Sequence, residues 1–144
     1  MTPDVNVLVA AARADHPHHA QAHAWLTQAI APARGKTGLR VMSMVVSGFL
    51  RVMTHPKTFK PPTPTASAVA FLDALLALPG VALMPVQGEW PQLRSLCLDK
   101  TLSGNAIPDA WIAACVLQHG ETLATFDRDF TQLLPAKNLL LLQH

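Results

Sequence analysis

Charged side chains are scarce in this chain of 144 residues: they make up 14% of it, against about 25% in an average soluble domain. The 11 Lys and Arg nearly balance the nine Asp and Glu, and a net charge of +2 does not indicate a protein that binds polyanions. Half of the residues are hydrophobic, which is enough to form a core and argues against disorder. Because carboxylates are so few, the position of each one is informative.

Cysteines and long apolar runs are also scarce. Cys97 and Cys115 are too few for a disulfide framework and are typical of a protein with reduced thiols. No apolar run approaches the roughly 18 residues that cross a membrane, and no basic segment precedes an apolar stretch near residue 1. We therefore expect a cytoplasmic protein that has no contact with a membrane. The length and the absence of repeats predict a single domain over residues 1–144.

Strand and helix patterns alternate along the chain. Residues 1–4 predict a very short strand that ends near Asp4 and leads directly into a helix, although the alternation of Val5, Val7 and Val9 also suits a longer strand. Further strands are predicted at 39–42, 81–86, 122–125 and 139–142, and helices at 17–31, 43–54, 65–78, 89–99 and 105–119. This alternation predicts an α/β fold with a parallel sheet covered on both faces.

Four of the nine carboxylates fall at positions that such a fold brings to one edge of the sheet. Asp4 follows the first strand, Asp127 and Asp129 follow the strand at 122–125, and Asp109 lies in the first turn of an otherwise apolar helix. Ligands of open α/β sheets bind outside the carboxyl ends of the strands. The sequence therefore predicts a site at this edge.

Carboxylates gathered at one edge repel each other unless a cation lies between them. Mg²⁺ and Mn²⁺ prefer carboxylate and water oxygens as ligands, and such a site supports metal-assisted hydrolysis of a phosphodiester. Asn6 and Thr125 are neutral polar residues placed to orient the carboxylates. Taken singly, each acid also suits an ordinary helix or turn cap.

Four motifs together resemble those of a known family. They are Asp4-Val-Asn-Val-Leu-Val-Ala, Phe49-Leu-Arg-Val-Met-Thr-His-Pro, Gly104-Asn-x-x-x-Asp109 and Thr125-Phe-Asp-Arg-Asp-Phe130. Each motif is weak alone, but the four in this order and spacing resemble a PIN domain, and most closely the bacterial VapC-type toxins. The resemblance extends from Asp4 to about Leu142.

The resemblance implies a three-layer α/β/α sandwich with a mainly parallel sheet and an endoribonuclease that depends on Mg²⁺ or Mn²⁺. It also implies a homodimer that a small cognate antitoxin protein neutralises. Matched by position, Asp4, Asp109 and Asp127 are the catalytic and metal-binding acids, and Asp129 supports Asp127 or binds a second metal. Asn6 and Thr125 match the polar residues beside them.

One family acid is missing from this chain. PIN toxins usually carry a Glu three residues before an Arg on the helix after the second strand, and Gly48 stands there, three residues before Arg51. Two functions therefore stay open, an endoribonuclease toxin and a weakly active or inactive PIN-fold protein that binds RNA or the antitoxin. The resemblance also places Arg51 and His55 near the site, where they are candidates for contact with RNA.

Other interpretations fit the sequence less well. Haloacid-dehalogenase phosphatases need Asp-x-Asp near the first strand, where this chain has Asp4 and Asn6, and dinucleotide-binding folds need a Gly-x-Gly-x-x-Gly motif that is absent. Trp25, Trp90 and Trp111 fall within apolar helical spacing, so we expect them in the core rather than stacked on bases.

Overall fold

Short parallel strands and longer helices alternate along residues 1–31 and 38–143, the part of the chain that the computed structural model describes. The strands are β1 (Thr2–Pro3), β2 (Leu39–Met42), β3 (Val81–Met84), β4 (Leu123–Thr125) and β5 (Leu139–Leu141). The helices are α1 (Val5–Ala12), α2 (His19–Ile30), α3 (Ser43–Thr54), α4 (Thr65–Leu76), α5 (Trp90–Asp99) and α6 (Ala106–His119). Two 3₁₀ turns, Arg128–Gln132 and Ala136–Asn138, precede β5.

All strand pairs in the described residues are parallel. β4 lies between β1 and β5, and β2 pairs with β3. The backbone N–H of Arg40 in β2 donates to the carbonyl of Met1 at 3.0 Å, which joins the two groups of strands in the order β3-β2-β1-β4-β5. The predicted α/β fold with a mainly parallel sheet is confirmed, and the carboxyl ends of the strands therefore share one edge.

The first strand is two residues long because the chain turns into a helix at Asp4. The N–H groups of Thr2 and Asp4 donate to β4 and its flank at 2.9 Å each, while Pro3 has no N–H to donate. Asp4 is the N-cap of α1, and its carboxylate accepts the N–H of Val5 at 2.7 Å. The prediction of a very short strand followed at once by a helix is confirmed.

The core lies between the sheet and the helices. The middle of α1 is buried from Val7 to Ala11, and α6 contributes a buried run that includes Cys115. Phe49 of α3 is fully buried and stacks on Phe71 of α4, with ring centroids 5.4 Å apart. These packed helices hold both ends of the site, because α1 begins directly after Asp4 and Asp109 lies in the first turn of α6.

Two expectations about the tryptophans are wrong. α5 has no buried residue, so Trp90 is 65% exposed, and Trp111 on α6 is 38% exposed. Only Trp25 of the three tryptophans is buried in the core. Apolar spacing identified the helices correctly. It did not show that the face with which α5 packs on the protein is only partly buried.

The scarcity of cysteines and of long apolar runs in the sequence is matched by two structural findings. Cys97 and Cys115 are both free thiols. Among the helices of the described residues, none combines the length and the apolar character needed to cross a membrane.

Arg13, just after α1, fastens the proline-rich loop at 55–64 to the rest of the protein. Its guanidinium pairs with Asp15 through contacts of 2.9 and 2.6 Å and donates to the hydroxyl of Thr63 at 3.0 Å. The same guanidinium lies 3.9 Å from the ring centroid of Phe59. Asp15 thus orients the guanidinium, and Thr63 and Phe59 attach the loop to it.

We expect Arg13→Ala to loosen this loop. Loss of the cation–π contact, worth about 1 kcal/mol, should increase local opening roughly fivefold. The measurement is the rate of limited trypsin cleavage after Lys57, an exposed residue of the loop. Arg94→Ala is the control, because Arg94 is exposed on α5 and makes none of these contacts. Equal cleavage rates in the two variants would contradict the role of Arg13.

Candidate active site

A cavity of about 1300 Å³ opens beside the carboxyl ends of β1 and β4. Its walls come from the N-terminal halves of α1 and α6, from α3 and from the loop at 55–64. Three carboxylates line it, those of Asp4, Asp109 and Asp127, together with the guanidinium-bearing Arg51. The structure thus brings together three of the four acids that the sequence singled out, and it places them on the predicted edge of the sheet.

The carboxylate of Asp4 is buried and fixed on both oxygens. Oδ1 accepts the N–H of Val5 at 2.7 Å, and Oδ2 accepts the hydroxyl of Thr125 at 2.6 Å. Burial raises the pKa of Asp4 above its usual value, and these two hydrogen bonds oppose that rise. The chain therefore holds this carboxylate in one orientation at the end of β1.

Asn6 and Thr125 connect α1 to the end of β4. The side-chain amide of Asn6 donates to Thr125 Oγ1 at 3.1 Å, and its oxygen accepts the N–H of Phe126 at 3.3 Å. Thr125 Oγ1 also accepts the N–H of Asp127 at 3.0 Å. Thr125 thus contacts the carboxylate of Asp4 and the backbone of Asp127, whereas Asn6 is connected to the acids through Thr125.

Asp127 and Asp129 occupy different positions. Asp127 lines the cavity and caps the turn that follows β4, since its Oδ1 accepts the N–H of Asp129 at 2.8 Å. The side chain of Asp129 is exposed and does not form part of the cavity wall. Its charge still acts on the site, because it contributes to the raised pKa of Asp109.

Asp109 carries the most perturbed carboxyl of the site. Partial burial raises its pKa to about 6, and the charges of Asp4, Asp127 and Asp129 add to the rise. Asp109 lies in the first turn of α6, where the helix dipole favours the ionised form, but burial and the neighbouring acids outweigh it. A cavity with this electrostatic character favours a positive charge near Asp109.

The site's donors match a hard divalent cation in chemistry, but their side chains do not converge on a single point. Carboxylate oxygens are the ligands that Mg²⁺ and Mn²⁺ prefer, and a cation would remove the repulsion that raises the Asp109 pKa. Within residues 1–31 and 38–143, no group of three His, Cys, Asp or Glu side chains is close enough to hold a metal ion as it stands. A bound cation therefore requires side-chain rotation or bridging water.

Gly48 lines the cavity where the resemblance places a further acid. A Cβ atom built on Gly48 would lie 2.7 Å from Cγ2 of Val5, closer than packed carbon atoms approach. The helices α1 and α3 therefore pack against each other at Val5 and Gly48. A side chain at position 48 would therefore require Val5 to shift.

Of the two residues proposed for contact with RNA, only one reaches the cavity. Arg51, one turn after Gly48 on α3, is exposed and lines it. His55 does not line it, and its ring nitrogen Nδ1 accepts the N–H of Lys57 at 3.1 Å. His55 therefore shapes the start of the loop rather than the wall of the cavity.

Several lining residues escaped the sequence interpretation. Phe59 comes from the proline-rich loop, and Trp111 follows Asp109 by two positions on α6. The order of motifs gave a usable signal for Trp111, since residues next to an acid at the start of a helix lie near the same opening. No local signal marked Phe59, because its contact with Arg13 joins parts of the chain that are far apart in the sequence.

Comparison with known proteins gives a consistent family. The PIN domain family model matches residues 1–133. The chain is 35% identical to Ribonuclease VapC25 of Mycobacterium tuberculosis over 137 residues, covering 94% of each protein. It is 38% identical to VapC ribonuclease Mb2897 of Mycobacterium bovis over 130 residues, covering 90% of this chain and 86% of that protein.

Solved structures agree on the fold. The VapBC2 structure from Rickettsia felis, bound to a DNA fragment from its promoter, aligns with a TM-score of 0.63 at 20% identity, over 97% of this chain and 95% of that one. The FitAcB structure from Neisseria gonorrhoeae aligns with a TM-score of 0.55 at 20% identity, over 92% and 91%. At this identity the two structures bear on the fold alone.

The contact between Val5 and Gly48 predicts the effect of restoring an acid. We expect Gly48→Glu to destabilise the protein by about 1–3 kcal/mol, because the new Cβ overlaps Val5. Val5→Ala combined with Gly48→Glu should recover part of that loss, since the smaller side chain leaves room. Urea denaturation of the two single variants and the double variant measures the coupling. Strictly additive effects would show that the helices do not clash at this point.

The raised pKa of Asp109 predicts how stability depends on pH. The folded carboxyl titrates near pH 6, whereas an unfolded Asp titrates near pH 3.8. The folded state therefore binds more protons between these values, and stability falls as pH rises from about 4 to about 6. Asp109→Asn should flatten this fall and raise the denaturation midpoint at pH 7. The exposed Asp73→Asn is the control, and an unchanged profile in Asp109→Asn would refute the assignment.

Proposed function

The chain belongs to the PIN-domain family of VapC ribonucleases, and from that premise we propose that it is a metal-dependent endoribonuclease that acts as the toxin of a toxin–antitoxin pair. The observation that supports this function is the set of three carboxylates on one cavity at the carboxyl ends of parallel strands. The reaction is hydrolysis of an RNA phosphodiester by water. No serine or cysteine nucleophile enters this scheme.

Asp4, Asp109 and Asp127 are the residues that would hold Mg²⁺ or Mn²⁺, with Asp129 nearby to support Asp127 or a second ion. When bound, such a cation lowers the pKa of water and offsets the negative charge of the phosphate. The chain's own contribution is to fix the acids. Thr125 locks the orientation of Asp4, and Asn6 holds Thr125 in turn.

Among the protein's own cationic side chains, Arg51 is the candidate for binding the RNA backbone. It lines the cavity with the three acids, and its fork of N–H donors matches a phosphate. His55 lies outside the cavity wall, so a contact with RNA there would involve a more distant part of the strand. Because the acids repel phosphate, Arg51 and the bound cation would both be needed for RNA to enter.

The proposed partners follow from the relatives. Those relatives are named VapC ribonucleases, and VapBC2 of Rickettsia felis was solved bound to promoter DNA. We infer that this chain binds a small cognate antitoxin and forms a homodimer in the cytoplasm. Exposed apolar residues, including Val69 on α4 and Leu98 on α5, leave surface for such contacts.

A second candidate function rests on Gly48. With no acid at this position, the protein would be a catalytically weak PIN-fold protein that binds RNA or the antitoxin without efficient cleavage. The structure supplies a packing reason for the glycine, which is compatible with a working site of three acids. We therefore prefer the nuclease.

We expect the purified protein to cleave an RNA pool in Mg²⁺ or Mn²⁺ and to lose that activity in EDTA. Asp109→Asn and Asp4→Asn should each lower the cleavage rate by at least about 100-fold, since both remove an ion ligand. Asn retains the capping ability of Asp4, and denaturation midpoints would verify that both variants fold. Asp99→Asn, an exposed acid at the end of α5, should cleave like the wild type.

The two candidate functions give different results in this assay. Cleavage that depends on metal and on Asp109 supports the nuclease. Retained RNA binding with no cleavage in either metal, and no difference between the wild type and Asp109→Asn, would instead establish the binding protein.

A further inference from the structure

We propose that Trp111 is a stacking surface for one nucleobase of a single-stranded RNA, and that Glu89 positions its indole. The proposal rests on the nuclease function and adds to it a residue that selects unpaired RNA. It follows from the exposure of Trp111, its hydrogen bond and its place in the cavity.

Trp111 is exposed where its helix is otherwise largely buried. Its neighbours Ala110 and Ile112 are buried, whereas the indole is 38% exposed and forms part of the cavity wall. Because the largest apolar side chain of α6 stays partly in water, it contributes little hydrophobic stabilisation to the core. A role in contact with a ligand accounts for this position better than packing does.

A hydrogen bond holds the indole in place. Its Nε1–H donates to a carboxylate oxygen of Glu89 at 2.9 Å. Glu89 immediately precedes α5, so the bond reaches from one helix to the other. Since the ring is already oriented, a base that stacks on it loses less conformational entropy than it would on a free tryptophan.

The surroundings of Trp111 provide the rest of a nucleotide site. Ile107, one turn earlier on α6, and Leu93 of α5 line the same cavity and extend the apolar surface. Arg51 lies in that cavity as well, where its guanidinium suits a phosphate. An aromatic face and a cation in one cavity is a combination with which proteins bind single-stranded nucleic acid.

The position of Trp111 on its helix indicates which kinetic constant it controls. Asp109 and Trp111 are two residues apart, which separates their side chains by roughly 160° around the helix. Both residues nevertheless line the same cavity. The stacked base therefore lies to one side of the carboxylates, and its loss should weaken RNA binding with little effect on the chemical step.

Only an unpaired base can use this site. A base within a duplex is stacked on both faces, so an aromatic side chain reaches it only when the strand is single or the base is splayed out. We therefore expect Trp111 to favour single-stranded segments over perfect duplexes, without distinguishing strongly among the bases, because each of them has a π-face.

The kinetic test compares two exposed tryptophans. We expect Trp111→Ala to raise KM for a single-stranded RNA by about tenfold and to leave kcat within about twofold. Trp90→Ala is the matched control, because Trp90 is more exposed but does not line the cavity, and it should leave both constants unchanged. Trp111→Phe should fall in between and covers the case in which the alanine variant folds poorly.

The role of Glu89 is tested in the same assay. Glu89→Ala frees the indole and should raise KM by a smaller factor, whereas Glu89→Gln keeps an oxygen that accepts the N–H and should restore KM. A residue that only stabilised α5 would change the denaturation midpoint without this split between KM and kcat.

Binding is measured separately from cleavage by tryptophan fluorescence. In an Asp127→Asn background, which keeps RNA intact, we add oligo(rA) of 12 nucleotides or an abasic ribose–phosphate chain of the same length. The Trp90→Ala protein, which retains Trp111, should be quenched by oligo(rA) and not by the abasic chain. The Trp111→Phe protein, which retains Trp90, should respond to neither.

Three results would overturn the proposal. One is equal KM values for Trp111→Ala and Trp90→Ala in a protein that cleaves RNA, which would leave the nuclease function intact. Another is equal quenching by the abasic chain. The third is that Trp111→Ala changes only the self-association of the protein, measured by sedimentation. Trp111 would then belong to a protein interface. If the wild type cleaves no RNA, the nuclease fails, while the base-dependent quenching still tests the stacking.

Discussion

The hydrogen bond from the Thr125 hydroxyl to the Asp4 carboxylate, 2.6 Å long and buried, is the contact on which the site depends. It joins the ends of two neighbouring parallel strands through side chains, just where their backbone pairing stops. A buried carboxylate is costly unless its oxygens are paired, and the N–H of Val5 completes the pairing. Without the Thr125 hydroxyl, the buried Asp4 carboxylate would lose a hydrogen bond, which favours its rotation toward solvent. Asp4 would then no longer line the cavity together with Asp109 and Asp127.

This fixed carboxylate contributes to the electrostatics of its neighbours. Partial burial is the main cause of the raised Asp109 pKa of about 6, and the charges of Asp4, Asp127 and Asp129 add to the rise. Proteins retain such unfavourable arrangements where function needs them. If the site holds a divalent cation as proposed, the cation would offset this repulsion, and its binding would stabilise the folded protein.

Local sequence patterns predicted the strands and helices that carry the site. The contacts that complete the cavity join segments distant in the sequence, and local patterns did not predict them. The short first strand, β2 and α3 were visible in the sequence because caps and apolar runs act within a few residues. The exposure of Trp90 and Trp111 was not, since periodicity identifies an apolar face without naming what covers it. The approach of Val5 to Gly48 depends on how α1 and α3 cross, which no local pattern records. Phe59 lines the cavity from a proline-rich loop that Arg13, far away in the sequence, contacts.

The glycine at position 48 affects which groups of the cavity would contribute to the affinity of the proposed nuclease for RNA. A cation held by three carboxylates instead of four keeps more of its positive charge and more open positions for water and phosphate oxygens. If the protein binds RNA as proposed, the acids repel the rest of the RNA backbone, and Arg51 is the cationic side chain of the described wall that opposes them. Uncharged contacts would then add to the affinity. The apolar part of the cavity wall, which includes Phe59 and Trp111, is the surface available for such contacts.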